Sequence, residues 1–351
     1  MISNPSPLRF LCFGTGAIGT YVGGSLALAG QEVTFIDRPQ VASIIQQTGL
    51  RLQLSGGEKV VKQPEIKGSL GEALAARTYD VAIVAIKSFD TASLLDEVKP
   101  YHGALPPFIG LQNGVENEAL IAQVIGEENV IAGSVTTAIG RNGSGSITLE
   151  RLRGIGIAGR HPIVPALVEG MKIAGLNARR YVNPFSMKWS KMLTNLLANA
   201  SSAILDMPPA EIFAHPGLYR FELKMLKEAL AVMDMQKIPV MNLPGTPVWW
   251  LVWIARWLPP SLSQPLLMNS LGKGRGAKMP SFHIDLYGGR SKSEVDYLNG
   301  AVVRFGAKYQ IPTPINRWLN ETLTAMSTGS LAKNQFAHNP EKFLVEAGRF
   351  Q

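Results

Sequence analysis

Cysteine is almost missing from this sequence, which has Cys12 and no other. Without a second thiol there is neither a disulfide framework nor a thiolate metal site, as expected of a reducing compartment. Histidine is sparse as well. His102, His161, His215, His283 and His338 are scattered without metal-ligand spacing, so no metal is expected. No apolar run reaches the roughly 18 residues that a membrane-spanning helix needs. The opening MISNPSPLRFLCFG lacks a basic segment followed by a long apolar one. No signal peptide is therefore expected, and a cytoplasmic location is. Internal repeats and low-complexity tracts are absent too.

Charge is modest in amount and basic in sign, at 17% of residues and a net +8. The basic residues are spread along the chain apart from small clusters such as Lys273, Arg275 and Lys278. No nucleic-acid recognition motif accompanies them, so the charge suits anionic cofactors and substrates rather than nucleic acid. Hydrophobic residues at 46% are ample for a packed core, and 351 residues is a length typical of two domains.

Short β-type runs alternate with helix-type segments from residue 8. LRFLCFG (8–14), EVTFID (32–37), DVAIVAIK (80–87) and PFIGLQNG (107–114) are continuous apolar runs, as parallel strands buried on both faces require. Between the first two lies a helical stretch that stops at Gly30, a helix-terminating position. This alternation predicts βαβ units and a doubly wound sheet. β character continues to about residue 160. Near residue 183 the texture turns helical, with Asn183 as an N-cap and Pro184 in the first turn. The expected fold class is α/β: an N-terminal Rossmann-type doubly wound sheet over 1–183, with a C-terminal all-α domain over 184–351.

Gly14-Thr15-Gly16-Ala17-Ile18-Gly19 fits G-x-G-x-x-G. The pattern alone is weak in a chain with 35 glycines, but here it follows a strand and opens a helix. Gly14 serves the tight turn, Gly16 the close approach of backbone to a pyrophosphate, and Gly19 helix–strand packing. The phosphates sit on the helix N-terminus, where unpaired N–H groups and the dipole favour anions. Cofactor choice is read at the end of the second strand, and there two signals conflict. Asp37 suits the ribose 2′-hydroxyl of NAD, whereas Arg38 suits the 2′-phosphate of NADP. Asp37 would repel that phosphate unless turned away. Chemistry alone leans slightly to NADP.

In KWSKMLTNLLANA (188–200) a mostly apolar helix carries Lys191, Asn195 and Asn199 at i, i+4 and i+8, along one face. The bland alternative is a snorkelling lysine with two solvent-facing amides. Downstream, Ser281 and Glu294 each stand near a helix start, and Glu294, Tyr297 and Leu298 share a face. Taken together, GxGxxG, the Lys87-Ser88 pair after the strand at 80–87, QNG at 112–114, W-x-K-x-x-x-N-x-x-x-N from Trp189, S-x-x-x-D from Ser281 and E-x-D-Y-x-N-G from Glu294 form a spaced set. The set resembles the ketopantoate reductase (2-dehydropantoate 2-reductase) family over about residues 8–320. The resemblance implies NADPH-dependent reduction of ketopantoate to (R)-pantoate, on the way to pantothenate and coenzyme A. By position it makes Lys191 the catalytic lysine, Asn195, Asn199, Ser281 and Glu294 substrate residues, and Asn113 the residue where nicotinamide and substrate meet. It sets Lys87 on the cofactor side and gives Arg38 the 2′-phosphate, which adds to the lean towards NADPH.

The chemistry is consistent with that assignment. Hydride delivered to a ketone leaves alkoxide charge on oxygen, which a positioned ammonium can stabilise and protonate as general acid. Glu294 would orient the ammonium or bind a substrate hydroxyl. Neutral amides and a hydroxyl suit a small polar acid. One segment departs from the family pattern, the Trp-rich insertion near 245–275, with Trp249, Trp250, Trp253 and Trp257. Three readings are open: a helix buried in the domain or in a homodimer interface, a wall shaping a pocket for a bulkier 2-keto acid, or an interfacial membrane anchor. The first is the expected one. A non-catalytic dinucleotide-binding module is the alternative from outside enzymology.

Overall fold

The computed structural model describes residues 7–268 and 278–349, which divide into two compact units. One comprises 7–112, 116–188 and 243–246, and the other 113–115, 189–242, 247–268 and 278–349. The division falls at Lys188, a few residues beyond the expected 183, because the first turn of a helix that starts at Pro184 packs with the first unit.

The first unit holds twelve strands among the described residues: β1 (Arg9–Phe13), β2 (Glu32–Ile36), β3 (Leu50–Leu54), β4 (Gly57–Val61), β5 (Glu65–Lys67), β6 (Val81–Val84), β7 (Phe108–Gly110), β8 (Val130–Val135), β9 (Ala138–Gly143), β10 (Ser146–Arg151), β11 (Ile155–Ala158) and β12 (Ala178–Tyr181). Its helices are α1 (Ala17–Leu28), α2 (Pro39–Thr48), α3 (Leu70–Ala76), α4 (Thr91–Val98), α5 (Asn117–Ile125) and α6 (Val164–Ile173). The main sheet runs β12-β11-β8-β7-β6-β1-β2-β5. Pairing is parallel from β5 to β8, antiparallel between β8 and β11, and parallel again to β12.

The apolar runs have a direct cause in this layering. Phe10 and Cys12 of β1 enter one core with Tyr21, Val22 and Leu26 of α1 and Leu167 and Met171 of α6. Leu11 and Phe13 enter a second core with Leu70 of α3, Leu94 and Leu95 of α4, and Ile121 of α5. Every residue of the strand interior is therefore buried, each such side chain contributing roughly 1.5–3 kcal/mol. A four-stranded sheet, β4-β3-β10-β9, was not expected from the sequence. Leu50, Leu52 and Ile147 from it join the α1 side of the core.

The second unit is helical: α7 (Pro184–Leu196), α8 (Ala200–Leu205), α9 (Pro209–Ala214), α10 (Pro216–Met235), α11 (Val248–Trp257), α12 (Pro260–Leu267), α13 (Ser281–Tyr287), α14 (Val295–Lys308), α15 (Pro314–Thr328) and α16 (Pro340–Gly348). Asn183 Oδ1 accepts the Ser186 N–H at 3.0 Å, the expected cap of α7. Trp189 is fully buried edge-on to Phe305 of α14, ring centroids 5.3 Å apart.

One expectation is corrected here. The segment 188–200 is not one helix. It breaks after Leu196, with Ala198 at φ 49° and Asn199 as the residue before α8, its side chain making no cap hydrogen bond. The left-handed alanine costs about 1–2 kcal/mol. Buried Glu222 of α10 offsets that cost, one oxygen accepting the Ala198 N–H at 2.7 Å and the other the Ser201 hydroxyl at 2.5 Å. Within the single chain the Trp-rich helix buries one face. Val248, Leu251, Val252, Ile254 and Ala255 of α11 face the core, while Trp249, Trp250 and Trp257 are 54%, 50% and 71% exposed. Trp250 stacks on Trp253 at 5.1 Å. The part of the insertion at 269–275 lies outside the described residues. Among the described residues no helix is long and apolar enough to cross a membrane.

Candidate functional site

Each unit carries one half of the predicted residue set. In the first, the strand order reverses at β1, the place where open α/β sheets bind ligands beyond the strand carboxyl ends. Three loops converge there, after β1, β2 and β6. Gly14 has φ +89°, which favours glycine, and a Cβ on it would come 2.9 Å from Ile86 of the β6 loop. A Cβ on Gly19 would collide with the carbonyl oxygen of Gly14, so the start of α1 can lie this close to the loop only as glycine. A Cβ on Gly16 would meet nothing within 4 Å, the open approach that a phosphate at the N-terminus of α1 needs. Ala17 and Ile18 form the first turn of α1 and bring backbone N–H groups to that approach. The loop fits a dinucleotide pyrophosphate.

This difference between glycines is testable. Gly19→Ala is expected to destabilise the first unit by about 1–3 kcal/mol through overpacking. Gly16→Ala, at φ −69°, should leave stability unchanged. Thermal melting of the two variants beside wild type checks both.

Thr15 is buried, and its N–H and hydroxyl both donate to Asp37 Oδ2, at 2.7 and 2.5 Å. Asp37 Oδ1 accepts the N–H of Arg38 at 2.8 Å. The Arg38 side chain itself is exposed. Cys12 lies just below this loop, but burial, with the Asp37 charge adding, pushes its thiol up, so it is an inert core residue.

Lys87 follows β6 and precedes Ser88, which belongs to a buried polar chain. Gln112 Nε2 donates to Thr91 Oγ1 at 2.6 Å, that hydroxyl donates to Asn117 Oδ1 at 3.0 Å, and Asn117 Nδ2 donates to Ser88 Oγ at 3.3 Å. The loop bearing Lys87 is thereby tied to Gln112, the residue before Asn113. Lys188 adds a second tie. Its buried ammonium donates to the Gln112 carbonyl at 2.7 Å and the Gly133 carbonyl at 3.3 Å, with Glu118 Oε1 at 2.8 Å. Neither the polar chain nor Lys188 was anticipated. The available signal was the first lysine in KWSK, which reads as a surface charge until its partners, Gln112, Glu118 and Gly133, are known.

The second unit brings together Asn113, Lys191 and Asn195. Lys191 Nζ donates to Asn195 Oδ1 at 2.8 Å, and Asn195 Nδ2 donates to Asn113 Oδ1 at 2.9 Å. All three are partly buried. Gly114, at φ +90°, lets the QNG turn press on α14, since a Cβ there would come 2.7 Å from the Tyr297 carbonyl oxygen. Glu294, 2% exposed, stands one turn earlier at the start of α14. Beyond the helix break, Asn199 has left the face of Lys191 and Asn195. Its Oδ1 accepts the Phe282 N–H at 3.2 Å, which ties α8 to the start of α13. Ser281, next to Phe282, is exposed and makes no hydrogen bond to the amide chain. Among the described residues no group of three His, Cys, Asp or Glu side chains could hold a metal.

Comparison with known proteins covers both units. Residues 10–160 match the family described as "Ketopantoate reductase PanE/ApbA", and 185–327 match "Ketopantoate reductase PanE/ApbA C terminal". The chain is similar to the 2-dehydropantoate 2-reductase of Lactococcus lactis, 26% identical over 328 residues, covering 90% of this chain and 96% of that one. It is similar in structure to a PanE/ApbA family ketopantoate reductase from Ralstonia eutropha, with a TM-score of 0.76 and 27% identity over 92% of this chain and 99% of that one. It also shares its fold with a D-mandelate dehydrogenase solved with NADH and anilino(oxo)acetate, with a TM-score of 0.74 and 22% identity over 92% and 99% of the two chains.

Proposed function

Since this chain belongs to the ketopantoate reductase family, we propose that it reduces a 2-keto acid to the 2-hydroxy acid, with ketopantoate the substrate and (R)-pantoate the product. A reduced nicotinamide dinucleotide, when bound, supplies the hydride. NADPH is the form the resemblance implies through Arg38. What supports the reading is the hydrogen-bonded run Lys191–Asn195–Asn113, which joins residues from two distant stretches of sequence around one ammonium.

The residues divide the work as follows. Lys191 carries the cation that meets charge developing on the keto oxygen, and its Nζ–H is the proton given to that oxygen. Asn195 accepts one of the ammonium's hydrogens and so aims the others. Asn113 holds the Asn195 amide in the orientation that accepts from Lys191. With its carbonyl oxygen committed to the Phe282 N–H, Asn199 offers a donor to a ligand. Glu294 supplies the negative charge that orients the ammonium or takes a substrate hydroxyl.

The test is steady-state oxidation of NADPH, and separately of NADH, with ketopantoate and a panel of larger branched and aromatic 2-keto acids. The expected result is a kcat/KM highest for ketopantoate. Turnover confined to a bulkier acid would keep the chemistry and replace the substrate. Tight dinucleotide binding without turnover on any acid would overturn the enzymatic reading in favour of a binding module.

A further inference from the structure

From the end of β2 we infer that this chain selects NADH over NADPH, with Asp37 the residue that decides. The inference rests on the proposal that the first unit holds a nicotinamide dinucleotide, and concerns which one. In such a fold the pyrophosphate lies at the N-terminus of α1, and the adenosine ribose extends from it towards the carboxyl end of β2. The side chains there meet the ribose 2′ position.

The question left by the sequence was whether Asp37 is turned away and leaves that position to Arg38. It is not. Its carboxylate bridges the end of β2 to the glycine loop itself, with Oδ2 on the Thr15 N–H and hydroxyl and Oδ1 on the Arg38 N–H. The backbone reinforces this, since the Gly14 N–H donates to the Ile36 carbonyl at 2.9 Å. Swinging the carboxylate aside would strip the buried Thr15 N–H and hydroxyl of their acceptor, and such groups are costly to leave unpaired. The negative charge is therefore anchored between the two elements that flank the ribose.

The two cofactors differ only at the 2′ position. A ribose hydroxyl is a donor and can share the carboxylate's remaining lone pairs. A 2′-phosphate monoester adds about 1.5–2 negative charges beside a fixed like charge. Arg38 opposes that repulsion from an exposed side chain, where solvent and salt screen its contact. The anchored anion outweighs the exposed cation. Arg38 keeps a role through its backbone, as one of the three donors that hold Asp37.

Equilibrium binding decides the matter without reference to turnover. The full-length protein would be titrated with NADH and with NADPH at fixed ionic strength, by calorimetry or by quenching of tryptophan fluorescence. Wild type is expected to bind NADH at least about tenfold more tightly, the order that one like-charge contact produces near a protein surface. Asp37→Ala is expected to reduce that ratio about tenfold or more. Arg38→Ala should leave the Kd for NADH within about twofold, and it keeps the inference testable if the Asp37 variant fails to fold. Tighter binding of NADPH by wild type would overturn the inference. Binding of neither nucleotide would overturn the dinucleotide reading beneath it, a distinct result.

Discussion

Lys191→Ala is expected to lower kcat by about 10²- to 10⁴-fold, the span in which a general acid contributes. Dinucleotide affinity should be nearly unchanged, because the glycine loop is built from residues of the first unit and Lys191 belongs to the second. The reason for so large an effect lies in the geometry. The ammonium donates to Asn195, and the asparagine is itself held by Asn113. Truncation removes the proton and the positive charge together and takes from the Asn195 carbonyl oxygen the donor that Lys191 supplied. Lys191→Arg tests which of the two matters. Guanidinium keeps the charge but does not give up its proton, so it should restore substrate affinity more than turnover. A catalytic role is overturned if Lys191→Ala retains more than about a tenth of wild-type kcat, since even one hydrogen bond to a developing charge is worth more than that. Single-turnover measurements beside the steady state would separate loss of chemistry from loss of binding.

Lys188→Ala should be the most destabilising single change at this site, by about 3–5 kcal/mol, the usual consequence of removing one member of a buried ion pair. The carbonyl oxygens of Gln112 and Gly133 lose their donor and the carboxylate of Glu118 loses its ion-pair partner. Urea unfolding should show a clearly lower midpoint. The partner change Glu118→Gln, made on top of Lys188→Met, should recover part of the loss by removing the orphaned charge, and a double-mutant cycle would measure the coupling. A loss below about 1 kcal/mol would mean that water replaces the ammonium there and the pair is not buried in solution. Glu222 poses a similar question at the break after α7. There the carboxylate stands in for helical hydrogen bonds that the left-handed Ala198 cannot make.

Much of the first unit was legible because its signals are local. A continuous apolar run such as FLCF has one explanation, burial on both faces of a sheet, and β1 meets it with alternate residues in two cores. The glycine loop was legible for the same reason, Gly14 and Gly19 answering to steric demands within a few residues or at the loop after β6. The cap at Asn183 and the stop at Gly30 are likewise short-range chemistry. Prediction failed where the cause lay far along the chain. Spacing by four made 188–200 look like one helix. The carboxylate that takes over at Ala198 comes from Glu222, in a helix whose sequence says nothing about α7. The Trp-rich segment left three readings open, and the tertiary structure adds that the aliphatic residues of α11 occupy the one stripe a helix turns inward, with Trp249, Trp250 and Trp257 outside it.

The sequence by itself determined the class of the molecule. It specified an alternating strand–helix half with a glycine-rich turn between the first strand and helix, a helical half, and a spaced set of polar residues. Those properties depend on periodicity and on backbone demands that act over one or two turns of chain. Only the tertiary structure decided which polar residues work together. It gathered Asn113, Lys191 and Asn195 into one hydrogen-bonded run, moved Asn199 to the next helix, and buried Lys188 against Glu118. It also turned the ambiguous pair Asp37-Arg38 into an anchored anion beside an exposed cation. Hydrogen bonds have ranges of about 3 Å and no memory of sequence distance, so their partners are known only once the chain has folded.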